Sequence, residues 1–134
     1  MKTLLFIDDE ERLLRLYARE FESLGYRVLT APDARTARDI VRREPPDCAV
    51  VDIRLPDQDG LSLIRQMLRE NPTIPVVINT ALQDAREHFA SWCARAFVVK
   101  SSNLQELKDA VAAAIAASGG GPAPTPIRIG DSPD

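Results

Sequence analysis

The sequence predicts an α/β protein with a doubly wound parallel sheet of five strands, order 2-1-3-4-5, and helices on both faces. Three observations carry the parallel architecture, and the order is a common one for doubly wound sheets. Strand-like and helix-like patterns alternate five times along the chain. The strand-like runs are short and apolar throughout, as strands buried on both faces require. Two of these runs end in acid, Asp8-Asp9 after Thr3-Leu4-Leu5-Phe6-Ile7 and Asp52 after Cys48-Ala49-Val50-Val51.

Taken in order, the first strand covers 3–8, and a helix over 10–24 follows with Leu13, Tyr17, Phe21 and Leu24 on one stripe. Gly25 marks its stop. Arg27-Val28-Leu29-Thr30 is a second strand, placed at an edge because it is the least apolar. Pro32-Asp33 opens a helix that runs to Arg43 and cannot continue through Pro45-Pro46. The third strand is 48–52, and the helix after it carries Leu61, Ile64 and Leu68 on one face. Pro72 and Pro75 precede the fourth strand, Val76-Val77-Ile78-Asn79. A more polar helix follows with Leu82, Ala85, Phe89 and Trp92 along one side. Phe97-Val98-Val99 is the fifth strand. The last helix begins near Asn103, which forms a capping-box pattern with Glu106, and buries Leu104, Leu107, Val111 and Ile115. Its alanine run, 112–117, is good helix former with no further role.

The totals set limits. A chain of 134 residues suits one domain with a single core. We assign residues 1–117 to that domain and 118–134, rich in Gly and Pro, to a flexible tail or linker. The formal net charge of -3 offers no footprint for direct nucleic-acid or anionic-membrane binding. No stretch is apolar for long enough to cross a bilayer, and Asp8 interrupts the N-terminal run too early for a secretion signal. Cys48 and Cys93 lack metal-type spacing and read as reduced thiols of a cytoplasmic protein. His88, alone on a polar helix, reads as surface.

Ligands of doubly wound sheets sit at the carboxyl ends of strands, where strand order reverses. Here that point falls between the strands ending in Asp8-Asp9 and in Asp52. The fourth and fifth strands end at Thr80 and Lys100 on the same edge. Carboxylates, a hydroxyl and an ammonium thus converge on one crevice. Clustered like charges cost energy unless a cation or proton offsets them. Carboxylate oxygens suit Mg2+ (or Mn2+), and phosphoryl transfer to a carboxylate is the chemistry that uses such a set.

The chain resembles the receiver domains of two-component response regulators. The matching pieces are Ile7-Asp8-Asp9-Glu10, Val51-Asp52-Ile53-Arg54-Leu55-Pro56-Asp57-Gln58-Asp59-Gly60, Asn79-Thr80-Ala81 and Val99-Lys100, spread over residues 2–117. The resemblance implies a flavodoxin-like fold with Asp52 as phosphoacceptor. It also implies Asp9 as a direct metal ligand, Asp8 acting through water or by positioning, and the backbone carbonyl of Arg54 as a further ligand. Thr80 would bond the phosphoryl group, Lys100 would pair with it, and small Ala81 would admit the phosphodonor. Asp59-Gly60 would shape the loop, Phe97 would be a switch aromatic coupled to Thr80, and Arg54 and Leu82 would tune the lifetime of the phosphoryl group.

The implied partners are a sensor histidine kinase or phosphotransfer protein, and then a downstream protein or a missing output domain. A homodimer is compatible with this. The switch surface would lie on the fourth helix, fifth strand and fifth helix. The chain departs from the family at Ser101, where proline is usual after the lysine, often with a cis bond. It also lacks the glycine and acidic residues common within 92–96.

Three rival readings stand beside this one. A nucleotide- or flavin-binding protein needs an anion-binding loop where this chain has Asp8-Asp9-Glu10-Glu11. An aspartyl-phosphate hydrolase needs a second acid where this chain has Arg54. A phosphorylation-independent interaction module on the same fold is the remaining alternative.

Overall fold

Runs too short for helices become the strands of one parallel sheet. In the computed structural model, which describes residues 1–81, 96–117 and the backbone of 127–129, these are β1 (Thr3–Ile7), β2 (Arg27–Ala31), β3 (Cys48–Val51), β4 (Val76–Thr80) and β5 (Ala96–Val99). They pair in the expected order β2-β1-β3-β4-β5. Every residue of β3 and β4 is buried, because each has a strand on both sides and helices over both faces. Edge strand β2 keeps Arg27 and Thr30 exposed.

A short sixth strand, β6 (Ile127–Ile129), adds in parallel to β5 with Arg128 opposite Phe97. It occupies backbone groups that an edge strand otherwise leaves open. The remainder of the tail expected over 118–134 lies outside the described residues.

Four described helices connect the strands: α1 (Glu11–Glu22), α2 (Ala34–Arg43), α3 (Gly60–Glu70) and α4 (Gln105–Ala117). The helix expected between β4 and β5, with Leu82, Ala85, His88, Phe89 and Trp92, lies outside the described residues, as does Cys93. Cys48 is buried, outside any disulfide. No helix among the described residues is long and apolar enough to cross a membrane.

The two-residue period of the strands sorts side chains into two cores. Leu5, Ile7, Ala49, Val51 and Ile78 pack with Ala37 and Val41 of α2 and Leu63, Ile64 and Met67 of α3. On the other face Leu4, Phe6, Cys48, Val50 and Val77 meet Leu14, Tyr17 and Phe21 of α1 and Leu107, Val111 and Ala114 of α4.

One residue of the expected α1 stripe falls outside it. Leu24 is 54% exposed, because the helix ends at Glu22 and Leu24 belongs to the turn that Gly25 completes with φ of 95°. Leu14 is fully buried where Leu13 is only partly so.

Candidate functional site

Parallel register brings the strand ends to one edge. Ile7 lies opposite Val51, Val51 opposite Ile78, and Thr80 opposite Val99. The residues that follow, Asp8, Asp52 and Lys100, therefore leave the sheet together. Backbone bonds extend the pairing one step: Asp8 N donates to Ala31 O at 3.1 Å, Asp52 N to Ile7 O at 3.0 Å, and Lys100 N to Thr80 O at 2.7 Å.

The side chains converge on Asp52. Its Oδ1 accepts from the Thr80 hydroxyl at 2.9 Å and from Arg54 N at 3.2 Å. Lys100 Nζ lies 2.9 Å from Asp52 Oδ2, 2.7 Å from Asp8 Oδ2 and 3.7 Å from Glu10 Oε2. Asp8 Oδ1 accepts from Glu10 N at 2.9 Å, closing the turn from β1 into α1. Asp9, next to it, is exposed.

Charge in this crevice is costly and is offset locally. Asp8 is 2% exposed, and Asp52 and Thr80 are buried with it. Burial pushes the Asp8 carboxyl above its ordinary value, while bonds from Lys100 and the Glu10 N–H pull it back without cancelling the effect. Burial also works against the charge on Lys100. Its hydrogen bonds to Asp8 and Asp52 more than compensate and hold the ammonium above its ordinary value.

The loop between β3 and α3 is shaped by close backbone approach. Gly60 N donates to Ile53 O at 2.7 Å. A Cβ at Gly60 would collide with the carbonyl oxygen of Asp52 and sit 2.7 Å from Ile53 Cα. Glycine is therefore required for the backbone after Asp52 to fold over the start of α3. Asp59 caps α3 by accepting from Leu61 N at 3.2 Å.

Asp57, within the same loop, reaches across to α2 and accepts from Ala34 N at 2.9 Å and Arg35 N at 3.0 Å. These bonds hold its carboxyl below its ordinary value.

Asp8, Asp9 and Asp52 each place a carboxylate oxygen within 4.8 Å of the others. Three hard oxygen donors on one edge fit a divalent cation such as Mg2+. The Lys100–Ser101 peptide is trans, since no described peptide bond is cis. Ser101 Oγ bonds both the N–H and the carbonyl of Asn103, and Asn103 Oδ1 caps α4 by accepting from Gln105 N. Phe97, half-buried, packs against the core that faces α2 and α3.

Sequence reasoning gave no individual role at the site to Asp57, Tyr17 or Asn79. Asn79 carries the one visible signal, a carboxamide within the apolar run Val76-Val77-Ile78.

Fold and crevice together define a doubly wound parallel domain with an acidic site bridged by a lysine. The chain belongs to the response regulator receiver domain family, which it matches over residues 4–112. It is 32% identical over 107 residues to the probable transcriptional regulatory protein TcrX of Mycobacterium tuberculosis, covering 78% of this chain and 46% of that protein. It is 34% identical over 110 residues to the virulence transcriptional regulatory protein PhoP of Salmonella typhimurium, covering 80% of this chain and 49% of that one. The chain thus spans just under half the length of these relatives. The crystal structure of the response regulator TrrA of Thermotoga maritima, in complex with Mg2+-BeF, is similar with a TM-score of 0.80 and 30% identity, covering 85% of this chain and 99% of that one. Receiver domains of this family act with histidine kinases in two-component signalling.

Proposed function

We propose that Asp52 accepts a phosphoryl group from the phosphohistidine of a sensor kinase or phosphotransfer protein. A carboxylate oxygen of Asp52 forms the new P–O bond as the P–N bond to imidazole breaks, which leaves an acyl phosphate. The observation that carries this reading is the set of donors already directed at Asp52, the Thr80 hydroxyl on one oxygen and the Lys100 ammonium on the other. The same two groups bind phosphoryl oxygens when they replace the carboxylate as acceptor.

Asp8, Asp9, Asp52 and the Arg54 carbonyl would hold Mg2+ or Mn2+, which when bound offsets the charge of the carboxylates and of the phosphoryl oxygens. Asp9, exposed at the rim, is a direct ligand in this reading, and buried Asp8 acts through water or by positioning. The chain assists its own modification without turning over an external product.

Modification of Asp52 withdraws Thr80 and Lys100 from the carboxylate and biases the surface around Phe97, β5 and α4. Residues 1–117 form the receiver, and 118–134 lead toward an output module or act as a tail. The setting is cytoplasmic, and the next partner is a protein.

Intact mass after incubation with acetyl phosphate and Mg2+ tests the reading. One phosphoryl group is expected on the wild type and none on Asp52→Asn or without Mg2+. No addition to folded protein would favour an interaction module that works unphosphorylated.

A further inference from the structure

Among the described residues, the apolar layer between α1 and the sheet holds one hydrogen-bonded polar pair. Asn79 Nδ2 donates to the Tyr17 hydroxyl at 3.0 Å, and both residues are 3% exposed. Phe6, Ile7, Asp8, Val50 and Asp52 line the same small cavity as the pair.

Stability alone does not account for this pair. The Tyr17 ring is already held by stacking on Phe6, with centroids 5.2 Å apart and planes 26° from parallel. A buried hydroxyl and carboxamide lose their water, and the bond between them returns a net gain of only about 1 kcal/mol. Apolar side chains of the same shape would serve packing as well.

Position does account for it. Asn79 immediately precedes Thr80, whose hydroxyl donates to Asp52 at 2.9 Å and whose carbonyl accepts from Lys100 N at 2.7 Å. Tyr17 stands on the helix that starts directly after Asp8-Asp9-Glu10. One buried hydrogen bond between residues 62 apart in sequence therefore joins the helix behind the acidic turn to the strand end that carries Thr80 and accepts from the backbone of Lys100.

We propose that Tyr17 and Asn79 are positioning residues for phosphoryl transfer, setting the end of β4 so that Thr80 and Lys100 meet the phosphoryl group on Asp52. Neither touches the reacting atoms. They act through Thr80, and the inference rests on Asp52 being the acceptor.

The test uses the full chain as wild type, Tyr17→Phe, Asn79→Val and the double variant, labelled by acetyl phosphate with Mg2+ and followed by intact mass. Each single variant is expected to lower the maximal labelling rate about three- to tenfold, because misplaced donors cost rate rather than binding. The Mg2+ concentration giving half-maximal rate should stay unchanged. The double variant should be no slower than the slower single one, as expected for a pair acting as a unit.

If the wild type itself takes no phosphoryl group, the receiver reading fails first. If it is labelled and the variants match its rate within about twofold, positioning is overturned, whatever their melting temperatures. A measurement on the wild type alone provides a second check. The Asn79 carboxamide signals in nitrogen-resolved spectra should shift when Mg2+ and beryllium fluoride are added. Signals that stay in place would overturn the proposal as well.

Discussion

Lys100 Nζ sits 2.7 Å from Asp8 and 2.9 Å from Asp52, acting as the shared counter-ion of two buried carboxylates. It neutralises charge that a metal would otherwise have to offset, and it is already aimed at the atom where a phosphoryl group would attach.

Replacing this ammonium should therefore make the fold dependent on metal. Removing one partner of a buried pair costs about 3–5 kcal/mol, and partial solvent access to Lys100 brings the expected loss for Lys100→Met to about 1–3 kcal/mol. Saturating Mg2+ should restore more stability to the variant than it adds to the wild type, up to about 2.7 kcal/mol at a hundredfold excess over Kd. Urea melts with and without Mg2+ check this. Equal metal-induced gains in both proteins would contradict it.

Thr80→Ala should fold normally and accept phosphoryl groups more slowly. The hydroxyl is fully buried and bonded to Asp52 Oδ1, so its loss removes a directed donor while changing little volume. Loss of one such donor slows reaction by up to about 10²-fold. Thr80→Ser, which retains the oxygen, should recover most of the rate in the same acetyl phosphate assay.

Asp57 links stability to pH. Its bonds to Ala34 N and Arg35 N depress its carboxyl from the ordinary value of 3.8. A depressed folded value contributes stability above the unfolded value and loses it as pH falls through the folded one. Asp57→Asn should thus be destabilised by about 0.5–1 kcal/mol near neutral pH, as for a weakened helix cap. That difference should shrink as pH drops below 3.8, which melts across acidic pH would show.

Gly60→Ala should disturb the acceptor loop itself. The added methyl meets backbone of Asp52 and Ile53, not a flexible side-chain tip, so the loop must shift. A loss of about 1–3 kcal/mol is expected. Amide shifts at Asp52 and Ile53 should exceed those within α3 beyond its first turn. An unperturbed loop would show that the backbone yields more easily than its contacts imply.

Much of this architecture was legible in the chain because its signals are local. Unbroken apolar runs made β3 and β4 buried strands, Gly25 and the prolines punctuated the helices, and acids at strand ends predicted the crevice. Strand order 2-1-3-4-5 is expected as a common arrangement of doubly wound sheets, and the parallel register carries Asp8, Asp52, Thr80 and Lys100 to one edge. Leu24 lies outside the buried stripe because helical spacing in the sequence continues past the turn that ends α1 at Glu22.

What the sequence determined by itself was the alternation of elements, the acidic strand ends and the candidate residues, all of which depend on near neighbours along the chain. Tertiary structure alone decided which partners those residues meet. The bridging of Asp8 and Asp52 by Lys100, the docking of Asp57 on α2 and the bond from Asn79 to Tyr17 join residues far apart in sequence. Such contacts form only when helices and sheet close together, because burial then removes water and leaves each polar group to find its partner within the fold.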